Sequence, residues 1–558
     1  MLKNIKKINI IFSIVLLIVM IFSASVMVYT EDIDHNYEFE YLNTFDKTKP
    51  FFENAFEEIV VDNTISVDPY YDKFPVIENH TTFMGKGSIA YENINGKTVL
   101  VEALFRKRDE AVDDPNYSMG LMLYRCILYK IANPEANVSI SFSSYRMSPT
   151  IAVCLKPESK FYGYCKALYD SDYDQYGFVR IVYLLTEAAR MGIDVTIVGQ
   201  LNSYAVKQYV PSTGKLKSKA EPSFATYINK ALKSECYDKY ASGKKVLDYM
   251  RFVMVKWPVD DKGSVDMMHT KACAVSNYID IDNVEHGPAV WFSSTNLDTV
   301  NYKGANGNNG SQSGVIVSDH EKIYNITKNY INLMYNYSGQ EDSNEMRDFI
   351  RNTNEKQTKL ILSGKEDEIP EDEQLIYLGS ENDNVFELYF TPVANADFWD
   401  TVGNPYCKYF DAFYKNASNG YIELAWNCPT FTVGSELAER IQNIVEKAFL
   451  ENKNKKNTLQ LRLPTFRIDN LQTLVAGKDI RYIKLSNAAN TAHEKDVVMS
   501  YVDEYGNRQY ISLLSSCNFH AGAFGYQTNQ MLVINENSET GNKFYKLFGN
   551  ETSSGAIK

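Results

Sequence analysis

His269-Thr270-Lys271, with Ser293-Ser294-Thr295-Asn296 downstream of it, is the stretch on which the reading of this 558-residue chain turns. A His-x-Lys triplet alone carries little information. This one recurs. His493-Glu494-Lys495 leads into Ser515-Ser516-Cys517-Asn518, and the His-to-Asn interval is 27 residues in the first copy and 25 in the second. Two matched copies of so sparse a polar pattern point to a duplicated unit.

The sequence around the two copies repeats as well. In the first half, 137–142 alternates apolar and polar residues as a half-buried strand does, and 178–190 carries a helical apolar face that Gly192 stops. Strands are expected at 98–101, 193–198, 251–257, 272–275, 289–292 and 315–317, with helices at 119–131 and 321–335. In the second half, strands are expected at 385–390, 421–426, 459–463, 479–485, 497–499 and 510–514. Ser435 caps a helix striped by Leu437, Ile441, Ile444, Val445, Ala448 and Phe449. Each half thus reads strand, helix, strand, strand, His-x-Lys strand, strand, Ser-Ser-x-Asn loop. Helix–glycine–strand units of this kind build layered α/β domains, and a chain of this length exceeds what one core supports. The expected division is a first lobe over 81–337, a polar and charged linker over 338–374, and a second lobe over 375–558.

Apolar content of 44% with 23% charged residues describes a folded protein. A formal net charge of −13 excludes a globally basic nucleic-acid binder but leaves room for a local cationic pocket. The eight cysteines form no CxxC pair and no zinc-like spacing, so neither a metal nor a cofactor is expected.

Lys3, Lys6 and Lys7 precede an uncharged, mostly apolar run over residues 8–29, the form of an export signal. Residues 1–30 are expected to be a signal peptide or a signal-anchor, and 31–80 a tether. The run is long enough to span a bilayer, and its lysine flank would keep the amino terminus cytoplasmic and the bulk extracytoplasmic, anchored or secreted. Eight Asn-x-Ser/Thr sequons occur in a chain so rich in asparagine that this number needs no selection.

Within each copy, His and Lys two apart on an extended segment share a face, and the following strand delivers Ser-Ser-x-Asn by a loop. The candidate catalytic residues are therefore His269, Lys271, Asn296, His493, Lys495 and Asn518, with Ser294 and Ser516 as candidate substrate contacts. Lysine and asparagine donors suit the non-bridging oxygens of a phosphodiester. One neutral imidazole can attack phosphorus while a second, protonated, serves the leaving alcohol.

This paired pattern resembles the phospholipase D superfamily, whose motif is HxK, four residues, Asp, then a Gly-Ser-x-Asn-like turn. The resemblance implies a tandem duplication of an α/β/α sandwich domain whose two lobes form one shared active site. By the family's division of labour, His269 would be the nucleophile and His493 the general acid. The chain departs from the pattern twice in each half. Ser276 and Ser500 stand where the family has Asp, and Ser293 and Ser515 where glycine is usual. Asp496 and Asp503 are candidates to replace the missing acid, and His520 is a candidate pocket residue. The resemblance implies a phosphodiesterase acting on a phospholipid headgroup such as that of phosphatidylcholine. Two alternatives are a single-stranded nucleic-acid exonuclease of a secretory compartment and a catalytically weak binding protein. The nuclease reading predicts aromatic and basic groups beside the site. Membrane contact through residues 8–29 is expected, and no protein partner is implied.

Overall fold

A computed structural model describes residues 88–94, 96–106, 115–149, 151–155, 166–167, 178–200, 224–255, 268–297, 312–337, 343–380, 383–432, 434–463, 480–484, 493–537 and 545. The targeting segment, the tether, His35, His80 and the glycine-rich loop at 304–310 lie outside these residues. Among the described residues, no helix is long and apolar enough to cross a membrane.

The first lobe contributes β1 (Ser88–Ile94), β2 (Lys97–Arg106), β3 (Ser139–Ser144), β4 (Ile151–Cys154), β5 (Lys166–Ala167), β6 (Phe178–Arg180), β7 (Asp194–Gln200), β8 (Met250–Val255), β9 (Ala272–Val275), β10 (Tyr278–Ile279), β11 (Glu285–His286), β12 (Ala289–Ser293) and β13 (Gln312–Ser318). The second contributes β14 (Phe386–Phe390), β15 (Glu423–Asn427), β16 (Thr458–Leu463), β17 (Ile480–Lys484), β18 (Asp496–Val502), β19 (Arg508–Ser515) and β20 (Gln530–Asn537). Among the described residues the large sheets run β1-β2-β13-β12-β9-β3-β7-β8 and β14-β20-β19-β18-β15-β16-β17.

Apart from β1, these orders superimpose strand for strand. In both sheets the three strands at one end are parallel, β3-β7-β8 and β15-β16-β17. Every other neighbouring pair is antiparallel. The parallel steps need crossovers, and the helices Ile181–Arg190 and Glu436–Glu451 lie in the first crossover of each lobe, from β3 to β7 and from β15 to β16. Ser435 caps the second of these, its hydroxyl accepting from Ala438 N at 3.2 Å. The chain is a tandem duplication of one α/β unit.

Side-chain alternation gives each sheet two apolar faces. In the first lobe, Trp291 and Cys273 face an outer core with the helices Pro115–Ala132 and Ile181–Arg190. In the second, Trp426 and Val497 face a matching core with the helices Pro405–Lys415 and Glu436–Glu451. The inner faces share a third core. Ala272, Val290 and Phe292 of one sheet join Ala425, Val498 and Leu532 of the other, with the helix Glu321–Tyr337 among them.

Two expectations need adjusting. Residues 178–180 are extended, because Phe178 pairs with Cys154 and Arg180 with Ala152, so the helix starts only at Ile181. The segment 338–374 contains a 20-residue helix, Ser343–Leu362. Its buried stripe is Met346, Ile350, Asn354, Gln357 and Thr358. Three of those five are polar, so an apolar-stripe criterion passes over a helix whose polar members hydrogen-bond instead. Asn354 Nδ2, for example, donates to Phe390 O at 2.9 Å.

Candidate active site

The two motifs meet at the same end of both sheets. Each His-x-Lys stands just before a central strand, β9 or β18, and each Ser-Ser-x-Asn follows the next strand, β12 or β19. The backbones join directly across the lobes: His269 N donates to Thr528 O at 2.9 Å, and Met268 forms an isolated bridge with Thr528.

Each histidine is oriented by the opposite lobe. His269 Nδ1 lies 2.9 Å from Asn529 Oδ1, and His493 Nδ1 lies 3.0 Å from Gln312 Oε1. Asn529 Nδ2 donates to Ala523 O at 2.9 Å, which fixes the amide's orientation and makes its oxygen the acceptor. His269 therefore carries its proton on Nδ1, and Nε2 is the nitrogen left for chemistry. An oxygen acceptor at Gln312 assigns the same tautomer to His493. Burial, followed by the neighbouring lysines, holds both imidazoles well below their usual basicity. Both are neutral at pH 7 in the free protein.

The lysines repeat this symmetry. Lys271 Nζ donates to His269 O at 2.8 Å, and Lys495 Nζ donates to His493 O at 2.7 Å. Burial lowers both ammonium groups, and Lys271 is depressed further by Lys495 and Arg146. Lys495 is brought down to about 8. A buried ammonium depressed by two neighbouring cations, as Lys271 is by Lys495 and Arg146, marks a place for an anion. The Oδ1 atoms of Asn296 and Asn518 are buried without a hydrogen-bond partner, while Asn116 Nδ2 steadies the Asn296 backbone by donating to its carbonyl at 2.9 Å.

Ser294 and Ser516, the candidate substrate contacts, are hydrogen-bonded to carboxamides of the fold. Both are fully buried. Ser294 Oγ donates to Gln312 Oε1 at 2.9 Å, and Ser516 Oγ lies 3.1 Å from Asn529 Oδ1 and 2.8 Å from Gln530 Oε1. They support the carboxamides behind the histidines. Ser293 and Ser515, where glycine is usual in the resembled pattern, close the turn themselves. Ser293 Oγ accepts from Thr295 N at 2.9 Å, and Ser515 Oγ accepts from Cys517 N at 2.7 Å.

Ser276 follows β9 and Ser500 lies within β18, each five residues from its lysine along an extended chain that rises about 3.3 Å per residue. Ser276 Oγ accepts from Ser139 N at 2.9 Å, and Ser500 Oγ accepts from Arg508 Nη1 at 2.8 Å. Asp503 is a turn former, accepting from Tyr505 N at 2.9 Å and Asn507 N at 2.8 Å. Asp496 is adjacent to Lys495 and buried, and burial pushes its carboxyl up to about 8. His520 caps the short helix Ala521–Gly525, its Nδ1 accepting from Ala523 N at 3.1 Å. His286 is held between Asp280 and Asp319, and His320 hydrogen-bonds Asp383. Among the described residues, no group of three or more His, Cys, Asp or Glu side chains is placed to hold a metal ion.

Sequence reasoning missed Gln312, Asn529, Gln530, Tyr145 and Arg146. Gln530 is a strut between lobes, with Oε1 accepting from Lys271 N at 3.0 Å and Nε2 donating to Ser293 O at 2.9 Å. One signal was present: in both halves a carboxamide opens the strand after the Ser-Ser-x-Asn loop. Tyr145 and Arg146 follow β3 and stand half-exposed at the site. The Tyr145 ring lies 5.5 Å from the His269 ring and 5.8 Å from Lys271 Nζ, with Arg146 Cζ 5.2 Å from it.

No protein-family model matches the chain, and no curated protein matches it in sequence. Solved structures similar to it include the phosphatidylserine synthase of Haemophilus influenzae Rd KW20, at TM-score 0.41 and 10% identity over 82% of this chain and 87% of that one. A second is the polyphosphate kinase of Porphyromonas gingivalis, at TM-score 0.36 and 10% identity over 78% of this chain. The match spans only 44% of that kinase. A third is a mutant of yeast tyrosyl-DNA phosphodiesterase, at TM-score 0.31 and 9% identity over 71% of this chain and 81% of that one. With TM-scores this low, the functional reading rests on the duplicated topology and the site geometry of this chain.

Proposed function

We propose that this chain is a phosphodiesterase that works through a covalent phosphohistidine. One observation carries the reading. Two neutral imidazoles, each with Nδ1 held by a carboxamide of the opposite lobe, lie within electrostatic reach of both lysines, Lys271 and Lys495. Nε2 of one histidine attacks phosphorus, and the bond from phosphorus to the leaving oxygen breaks. The other histidine, which gains its proton as the substrate anion enters, gives that proton to the departing alkoxide. It then takes a proton from water, which attacks phosphorus and breaks the P–N bond. Lys271, Lys495, Asn296 and Asn518 stabilise the equatorial oxygens. By the resemblance, His269 is the nucleophile and His493 the acid.

For the substrate, the first reading is a phospholipid headgroup, which the amino-terminal segment would bring to an extracytoplasmic membrane surface. The second is single-stranded nucleic acid, and Tyr145 with Arg146 favours it. An aromatic ring and a guanidinium beside the nucleophile suit bases and phosphates, and the guanidinium opposes a trimethylammonium group.

The test is hydrolysis of bis(p-nitrophenyl) phosphate, phosphatidylcholine vesicles and single-stranded oligonucleotides by wild type, His269→Ala and His493→Ala. At least one substrate is expected to be hydrolysed, with a loss of about 10³-fold or more in either variant. Equal rates for wild type and both variants on every substrate would leave a binding protein on this fold.

A further inference from the structure

The two lobes superimpose in topology but not in charge. In the first motif the residues flanking Lys271 are Thr270 and Ala272; in the second, those flanking Lys495 are Glu494 and Asp496, both buried. After the paired strands the contrast reverses. The registers Ser141↔Ala274 on β3 and β9 and Ala425↔Val498 on β15 and β18 place Tyr145 and Arg146 opposite Pro429 and Thr430 in the repeat. The first lobe therefore adds a cation at the site that the second lobe lacks at the matching position.

Tyr145 links these charges. Its ring centroid lies 5.8 Å from Lys271 Nζ and 5.2 Å from Arg146 Cζ, cation–π distances, and the ring is tilted by 57° to that of His269. Arg146 is half-exposed, where Lys271 is fully buried. A guanidinium at the outer side of an ammonium-lined pocket continues the positive potential outward from the scissile phosphate. Its charge also reaches His493.

We propose that Tyr145 and Arg146 form a subsite of the first lobe for a second phosphate, so that the favoured substrates are phosphodiesters flanked by another phosphoryl group. Tyr145 is a positioning residue that spaces the two cations, and Arg146 binds the second phosphate. This inference rests on the phosphodiesterase reading.

The test compares three chromogenic substrates: the p-nitrophenyl ester of thymidine 5′-monophosphate, the same ester with a 3′-phosphate, and the p-nitrophenyl ester of thymidine 5′-diphosphate. Wild type is expected to favour one of the doubly phosphorylated esters by about tenfold or more in kcat/KM. Preference for the 3′-phosphate points to a nucleotide chain, and preference for the diphosphate to a diphosphate-linked alcohol. In Arg146→Gln the ratio should fall towards one, and Arg146→Lys should recover part of it. A ratio measured within each variant does not depend on the fraction folded. Lack of preference in wild type, or an unchanged ratio in Arg146→Gln, overturns the subsite while leaving the phosphodiesterase intact. If wild type hydrolyses no ester faster than His269→Ala does, the phosphodiesterase reading fails and the subsite with it.

Discussion

Lys495 is the residue whose titration should be visible in catalysis. Burial brings its ammonium down to about 8, so above that pH the site loses a positive charge. Both histidines are held well below their usual range, chiefly by burial. A neutral nucleophile is therefore available below pH 6.5, and the acid limb lies on the low side of that value. We expect kcat/KM to fall as pH rises through about 8 and the fall to move upward in Lys495→Arg, which keeps its charge. Asp496 also titrates near 8, so Asp496→Asn is the control. A limb that vanishes in Asp496→Asn and stays in Lys495→Arg would assign it to the carboxyl instead. The pairing of His269 with His493 was legible because the His-x-Lys pattern recurs in the chain. The carboxamides behind them were not, since a lone Gln or Asn before an apolar strand looks like any loop residue.

At the scale of the element, the decisive feature is the start of β13 and of β20, where Gln312, Asn529 and Gln530 reach across to the other lobe. Gln312→Ala or Asn529→Ala removes the acceptor that sets one histidine's tautomer. A loss of about tenfold in kcat with KM little changed is expected, the effect of one buried hydrogen bond. Gln312→Glu should act differently, since a carboxylate on Nδ1 raises the basicity of His493 and moves the acid limb to higher pH. A pH profile identical to wild type in Gln312→Glu would show that the contact is not made in solution. Element types and order were readable from apolar periodicity in both halves. The helix Ser343–Leu362 was the exception, because its buried side chains are largely polar and burial through hydrogen bonding leaves no hydropathy stripe.

The whole molecule is held together by the inner core, which neither lobe owns. Leu388 of the second lobe is completely buried there with Val290, Phe292 and Tyr330 of the first, and Tyr330 stacks on Phe390 at 3.9 Å. The lobes should unfold together, giving one calorimetric transition for the described unit. Leu388→Ala should lower its midpoint at a cost of about 2–5 kcal/mol, as cavity formation does. Two separated transitions, with only one shifted by the substitution, would mean that the inner core does not couple the lobes.

The sequence alone determined that the chain is a duplicated α/β protein with a histidine, a lysine and an asparagine in each copy. Repetition and periodicity are properties of the chain order and survive without coordinates. Only the tertiary structure decided what lies between the copies. Gln312 is 181 residues from His493, and Asn529 is 260 from His269, separations at which no local pattern links the partners. The same holds for charge. Nothing in the chain order links Arg146 to His269-Thr270-Lys271, yet the fold brings it onto the Tyr145 ring and within electrostatic reach of Lys271. A potential is a sum over everything within reach, and which residues are within reach is a matter of the fold.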